Sequence, residues 1–110
     1  MTLDALDTPA LVLDADAMSR NIARMADAAR AAGVALRPHA KTHKSPAVAR
    51  RQIAAGAVGV CCQKVGEAEI MVEGGVGDVL VTNEIVGATK LARLAGLAKF
   101  ATIRTVVDHP

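Results

Sequence analysis

Val34-Ala35-Leu36-Arg37-Pro38-His39-Ala40-Lys41-Thr42-His43-Lys44-Ser45-Pro46 contains, in order, an apolar run, five basic side chains within eight residues, and a helix start. Short apolar runs bounded by loop residues read as strands, and Ser followed by Pro reads as an N-cap and first helical position. The stretch is therefore one strand–loop–helix unit with its cations gathered at the strand exit. A cluster placed there, rather than along a charged helix, suggests an anion-holding or lysine-centred site. A lysine crowded by other cations is more readily neutral, and a neutral amine is the better nucleophile.

The same unit recurs along the chain. Apolar runs predict strands near 10–13, 34–38, 58–62, 79–82 and 102–107, roughly two dozen residues apart. Helical patterns lie between them. Asp16 is the expected cap of a first helix with Met18, Ile22, Met25, Ala26 and Ala29 on its apolar face and Gly33 at its end. Ser45-Pro46 opens a second that stops at Gly56. Glu67 and Glu69 fall in the first turn of a third that ends at Gly74-Gly75, and a fourth runs from about 88 to 98.

Strand and helix alternating in this way predict an α/β fold with a parallel, helix-covered sheet. A (β/α)8 barrel and an open doubly wound sheet are the two candidates. The open sheet is expected to carry a glycine-rich first strand-to-helix turn, but that turn reads Leu13-Asp14-Ala15-Asp16. A complete barrel needs about 250 residues. The 110 residues here supply about four and a half βα units, so if the fold is a barrel the chain is a fragment of one, and if it is an open sheet a dinucleotide or flavodoxin-type site at that turn is not expected.

Composition narrows the function. A formal charge of +2 gives no reason to expect nucleic acid or an anionic membrane as partner. Cys61 and Cys62 are adjacent, so no disulfide framework is implied and a reducing compartment fits. They also make a poor zinc site without a second ligand pair. The N-terminus has no basic region ahead of an apolar one, and no apolar run reaches spanning length. A cytoplasmic protein is the expectation.

Parallel folds place their sites at the carboxyl ends of strands. The ends legible here are Asp14, Arg37–Lys44, Gln63-Lys64 and Thr82-Asn83-Glu84. If the second strand continues to Lys41, alternation puts Arg37, His39 and Lys41 on one face. Lys41, Gln63 and Asn83 should then converge at one end of the sheet. The competing reading is a solvated basic rim, with the histidines structural, the cysteines small buried apolar groups, and Pro38 able to break the alternation.

Thr8-Pro9-Ala10-Leu11-Val12-Leu13-Asp14, Arg37–Lys44 and Gly66-Glu67-Ala68-Glu69 together resemble the N-terminal part of the alanine-racemase-type (fold type III) pyridoxal phosphate enzymes. The D-threonine aldolase, D-3-hydroxyaspartate aldolase and D-serine dehydratase group is the most similar. The resemblance decides between the two architectures: it implies that the fold is the N-terminal half of a (β/α)8 TIM barrel, residues 1–110 being part of an alanine racemase N-terminal-type barrel domain without the rest of the barrel or the C-terminal β domain. It implies pyridoxal 5'-phosphate as cofactor, carried by Lys41 as a Schiff base, with Arg37 and His39 lining the pocket and Gln63 and Asn83 as further contacts. Lys44 is expected to be a rim or helix-entry residue. A divalent metal (Mn, Mg or Zn) is expected only in the full-length protein, on a C-terminal His with Asp or Cys. The implied activity is cleavage of a D-β-hydroxy amino acid such as D-threonine to glycine and an aldehyde, which Cys62-Gln63-Lys64-Val65 favours. Alternatives are a D-serine dehydratase and a non-catalytic pyridoxal phosphate-binding protein. A homodimer is expected for the full-length form, and no catalysis from residues 1–110 alone.

Overall fold

The computed structural model describes residues 2–109. After a short 3-10 turn at Leu3–Ala5 come helix α1 (Ala15–Ala31), helix α2 (Pro46–Ala54), strand β1 (Val60–Cys62), helix α3 (Val65–Glu73), strand β2 (Asp78–Glu84), helix α4 (Ala88–Leu97) and strand β3 (Thr102–Val106). The strands form one parallel sheet in the order β1-β2-β3. The expected parallel α/β architecture is present, and three of the five expected strands are assigned to the sheet.

The run at 34–38 is extended but forms only an isolated parallel bridge, His39 with Cys61. Cys61 N–H donates to the Pro38 carbonyl and Ala40 N–H to the Cys61 carbonyl, both at 2.8 Å. One step back, the next rung of the ladder would need a backbone N–H from Pro38, which has none. The Leu36 carbonyl is taken instead by Val58 N–H at 2.9 Å. Proline thus interrupts the ladder but not the alternation, and residues 36–40 still lie alongside β1.

The expected strand at 10–13 is not formed. Leu11 is 95% exposed, Val12 and Leu13 are also exposed, and none of them pairs with a strand among the described residues. An apolar run becomes a strand only where a neighbour can take its backbone groups, and here the chain passes straight into α1. Asp14 is that helix's N-cap, accepting from Ala17 N–H at 2.8 Å. The expected cap, Asp16, sits instead in the first turn, where its charge faces the helix dipole favourably.

The remaining punctuation is as expected. Ser45 accepts from Val48 N–H with Pro46 opening α2, and α3 stops at Gly74 with Gly75 at φ +86°. One face of the sheet packs on the helices: Val60, Cys62, Val79 and Val81 meet Val65, Ala68 and Met71 of α3, Ala49 of α2 and Leu94 of α4, all buried. The opposite face carries the even-numbered side chains of β2 and the odd-numbered ones of 37–39 and β1. That face holds the candidate site.

Candidate functional site

Arg37 and His39 share this face, as alternation requires. Arg37 Nη1 lies 2.7 Å from Asp78 Oδ1 at the start of β2, and Arg104 of β3 pairs with the same carboxylate. Arg37 is therefore committed towards the amino end of the sheet. Burial tends to raise the Asp78 pKa, but the two guanidinium groups hold it below the usual carboxylate value.

His39 reaches the other way. Its Nε2 is 3.0 Å from Thr82 Oγ1, and the Thr82 hydroxyl donates to the Cys62 carbonyl at 3.2 Å. Lys41 backbone N–H donates to His39 Nδ1 at 3.2 Å. Desolvation and then the Lys41 charge push the His39 pKa down, against a smaller opposing effect of Glu67. The ring is accordingly neutral near pH 7.

The strand does not continue to Lys41. A turn closed by Lys44 N–H on the Ala40 carbonyl at 2.8 Å occupies 40–44, with Lys44 at φ +49°. That turn separates the two lysines. Lys41 is exposed beside His39, and among the described residues its amine enters no salt bridge. Lys44 Nζ lies 3.6 Å from Glu67 Oε1. The expected convergence is thus divided. Gln63 and Asn83 line one cavity of about 550 Å3 between the β1–α3 and β2–α4 loops, and the lysines that line it with them are Lys44, Lys64 and Lys90, not Lys41.

Glu67 organises that cavity. Its Oε2 accepts from Gln63 N–H at 2.8 Å. Burial opposes its ionisation, but the backbone N–H groups of Gln63 and Lys64, with Lys44, keep its pKa lowered. Neither cysteine is a nucleophile here. Burial pushes the Cys62 thiol up to about 12, with Glu67 and Cys61 adding to the effect, and burial raises Cys61 despite Arg37. His43 is tied into the helix entry, its Nδ1 accepting from Ser45 N–H at 3.0 Å. It lines a separate, largely apolar cavity of about 470 Å3 against α1 that contains none of the five expected site residues.

Three residues of this arrangement were not singled out from the sequence: Thr82, Glu67 as an acceptor for the Gln63 and Lys64 backbone, and Asp78. Thr82 stood at a legible strand end, but its pairing with His39 depends on register across 43 positions. Nothing in the sequence marks Asp78 as the partner of Arg37. Among the described residues no three His, Cys, Asp or Glu side chains form a metal-holding group. No helix of the described residues is long and apolar enough to cross a membrane.

No protein-family model matches the chain. It is 50% identical over 107 residues to a D-threonine aldolase of an Arthrobacter species, covering 97% of this chain and 28% of that protein. It is 51% identical over 105 residues to 3-hydroxy-D-aspartate aldolase of Paracoccus denitrificans, covering 94% and 27%. Among solved structures, D-threonine aldolase from Filomicrobium marinum superposes with a TM-score of 0.95 at 59% identity, over 97% of this chain and 29% of that one. D-threo-3-hydroxyaspartate dehydratase from Delftia sp. HT23 superposes with a TM-score of 0.83 at 42% identity, over 94% and 27%. The chain spans about 28% of the length of the curated relatives it matches. Over nearly all of its residues, this chain is a homologue of the N-terminal segment of D-threonine aldolase, 3-hydroxy-D-aspartate aldolase and D-threo-3-hydroxyaspartate dehydratase.

Proposed function

We propose that this chain is the opening part of a (β/α)8 barrel in a pyridoxal phosphate-dependent lyase acting on D-β-hydroxy amino acids, with Lys41 as the lysine that holds the cofactor. Residues 36–40, β1, β2 and β3 stand side by side in chain order, which suits a closing barrel better than a sheet whose order reverses at a switch point. The observation that carries the reading is the contrast between the two lysines. Lys44 is paired with the Glu67 carboxylate at 3.6 Å, whereas Lys41 stands exposed at a strand exit beside His39 and enters no salt bridge among the described residues.

The residues present fit the cofactor's aldehyde end. An unpaired amine on a tight turn can take a carbonyl, and the turn is fixed by Lys41 N–H on His39. When bound, the cofactor would supply an electron sink for cleavage at the substrate's α-carbon. His39 would present a neutral ring edge beside Lys41. Gln63, Asn83 and Lys44 would border the space on the other side of the turn. Arg37, held by Asp78, would act from below as a fixed positive charge rather than by direct contact. The divalent metal expected of the full-length protein would take its ligands from beyond residue 110.

Aldol cleavage is the favoured reaction, because the solved D-threonine aldolase is 59% identical with a TM-score of 0.95 where the solved dehydratase is 42% identical with a TM-score of 0.83. Dehydration is the second reading, since a dehydratase matches 53% over 79 residues. Paired chimeras, in which this chain replaces the matching segment of the Arthrobacter D-threonine aldolase and of the Delftia dehydratase, separate them by which host it restores. Release of glycine and acetaldehyde from D-threonine, lost in Lys41→Ala, is the expected result. Ammonia and a 2-oxo acid from D-threo-3-hydroxyaspartate, without glycine, would favour the dehydratase. A folded chimera whose activity survives Lys41→Ala would contradict the reading.

A further inference from the structure

We propose that Thr82 is a positioning residue: its hydroxyl holds His39 in one neutral tautomer and, through that ring, steadies the turn that presents Lys41. Two independent hydrogen bonds fix the same proton. A carbonyl can only accept, so the single Thr82 hydroxyl proton is spent on the Cys62 oxygen at 3.2 Å. Thr82 Oγ1 must then accept from His39, which places the proton on Nε2. On the other side of the ring, a backbone N–H can only donate. Lys41 N–H, 3.2 Å away, therefore requires a bare lone pair on Nδ1. A ring in the opposite tautomer would lose the Lys41 N–H contact and would draw the Thr82 hydroxyl proton away from the Cys62 carbonyl onto Nε2, and a doubly protonated ring would lose the Lys41 contact.

The arrangement links three neighbouring strand ends into a line from the Cys62 carbonyl through Thr82 and His39 to the Lys41 backbone. Thr82 does not line the cavity shared by Gln63 and Asn83, and its side-chain hydrogen bonds run to His39 and the Cys62 carbonyl, so its influence on the lysine passes through His39. The competing role is a hydroxyl that only staples β2 to β1. That role predicts some loss of stability on removal but no change in the His39 proton. The functional weight of the proposal rests on the reading of Lys41 as the cofactor lysine, while the tautomer itself does not.

The test is nitrogen-15 NMR of the full chain with labelled histidine, with His39 assigned from a His39→Gln variant. The wild type should show a protonated Nε2 and an unprotonated Nδ1. Thr82→Val keeps the side-chain shape without the hydroxyl and should give averaged ring-nitrogen shifts. It should also give roughly three- to tenfold faster exchange of the Lys41 amide proton, as expected for one weakened hydrogen bond. Thr82→Ser should restore both. An Nδ1-protonated or averaged ring in the wild type overturns the proposal, whether or not any variant folds. So does a folded Thr82→Val chain with the wild-type ring pattern or with unchanged Lys41 exchange. Borohydride trapping of added pyridoxal phosphate is read separately. A label on another lysine with the ring pattern intact would remove the cofactor reading and leave the Thr82 assignment standing.

Discussion

Arg37 Nη1 sits 2.7 Å from Asp78 Oδ1 across 41 positions of sequence, and Arg104 closes on the same oxygen from the third strand. The triad ties residues 36–40, β2 and β3 together on the site face, beneath His39. Asp78→Asn should destabilise the chain by about 1.5–3 kcal/mol, the range for hydrogen bonds to charged groups. The sign with pH follows from the lowered Asp78 pKa. Its contribution is fully present above the ordinary carboxylate value of about 4 and is lost as pH falls below that through the folded value. Denaturant titrations stepped down from pH 6 should show wild-type stability falling towards that of Asp78→Asn. Parallel curves at all pH values would contradict the assignment.

Gly59 faces this triad at φ +152°, and a Cβ there would lie 2.5 Å from the Asp78 carbonyl oxygen as well as against Arg37. Backbone strain and overpacking combine, so Gly59→Ala should cost about 2–4 kcal/mol. Thermal melts of Gly59→Ala beside Gly56→Ala make the comparison, because Gly56 also has a positive φ but open space around it. Equal losses would show that the close approach of Asp78 contributes nothing.

Glu67 holds the loop that presents Gln63. Glu67→Ala removes the acceptor for Gln63 N–H and the partner of Lys44. Amide exchange at Gln63 should quicken by roughly tenfold, equivalent to about 1–1.5 kcal/mol, while amides within β2 change little. An unchanged Gln63 amide would mean the loop is fixed by something other than this carboxylate.

The helices were legible because their signals are local. Ser45-Pro46, Gly33 and Gly74-Gly75 act on residues within one turn of themselves. Capping turns on a single residue, and Asp14 and Asp16 are equally good caps by composition, so only the start of the helix at Ala15 decides between them. The strands at 10–13 and 34–38 failed for a non-local reason. A strand exists by its neighbour, and the first run has none here while the second meets β1 at a proline. The expected convergence of Lys41 with Gln63 and Asn83 is interrupted by the 40–44 turn, which alternation could not foresee. Thr82 and Asp78 act on partners 43 and 41 positions away, set by register alone.

Residues 1–110 by themselves should show no turnover. The relatives are more than three times as long. Here Phe100, Val86, Val107 and Leu11 stand exposed at the surface, and β3 has no strand on its outer side among the described residues. Incubation with pyridoxal phosphate and manganese, followed by assays for glycine from D-threonine and pyruvate from D-serine, should give background rates. Turnover close to that of a complete relative would show that this segment already contains a working site.

The central claim is that Lys41, and not Lys44, carries the cofactor, and borohydride trapping tests it most directly. The chimera bearing this chain is loaded with pyridoxal phosphate, reduced, digested and mapped by mass spectrometry. The account predicts the pyridoxyl group on Lys41 and its disappearance in Lys41→Ala, with Lys44→Ala still labelled. A label on Lys44 or Lys64 in the wild-type chimera, or undiminished labelling of the Lys41→Ala chimera at another lysine, would contradict it.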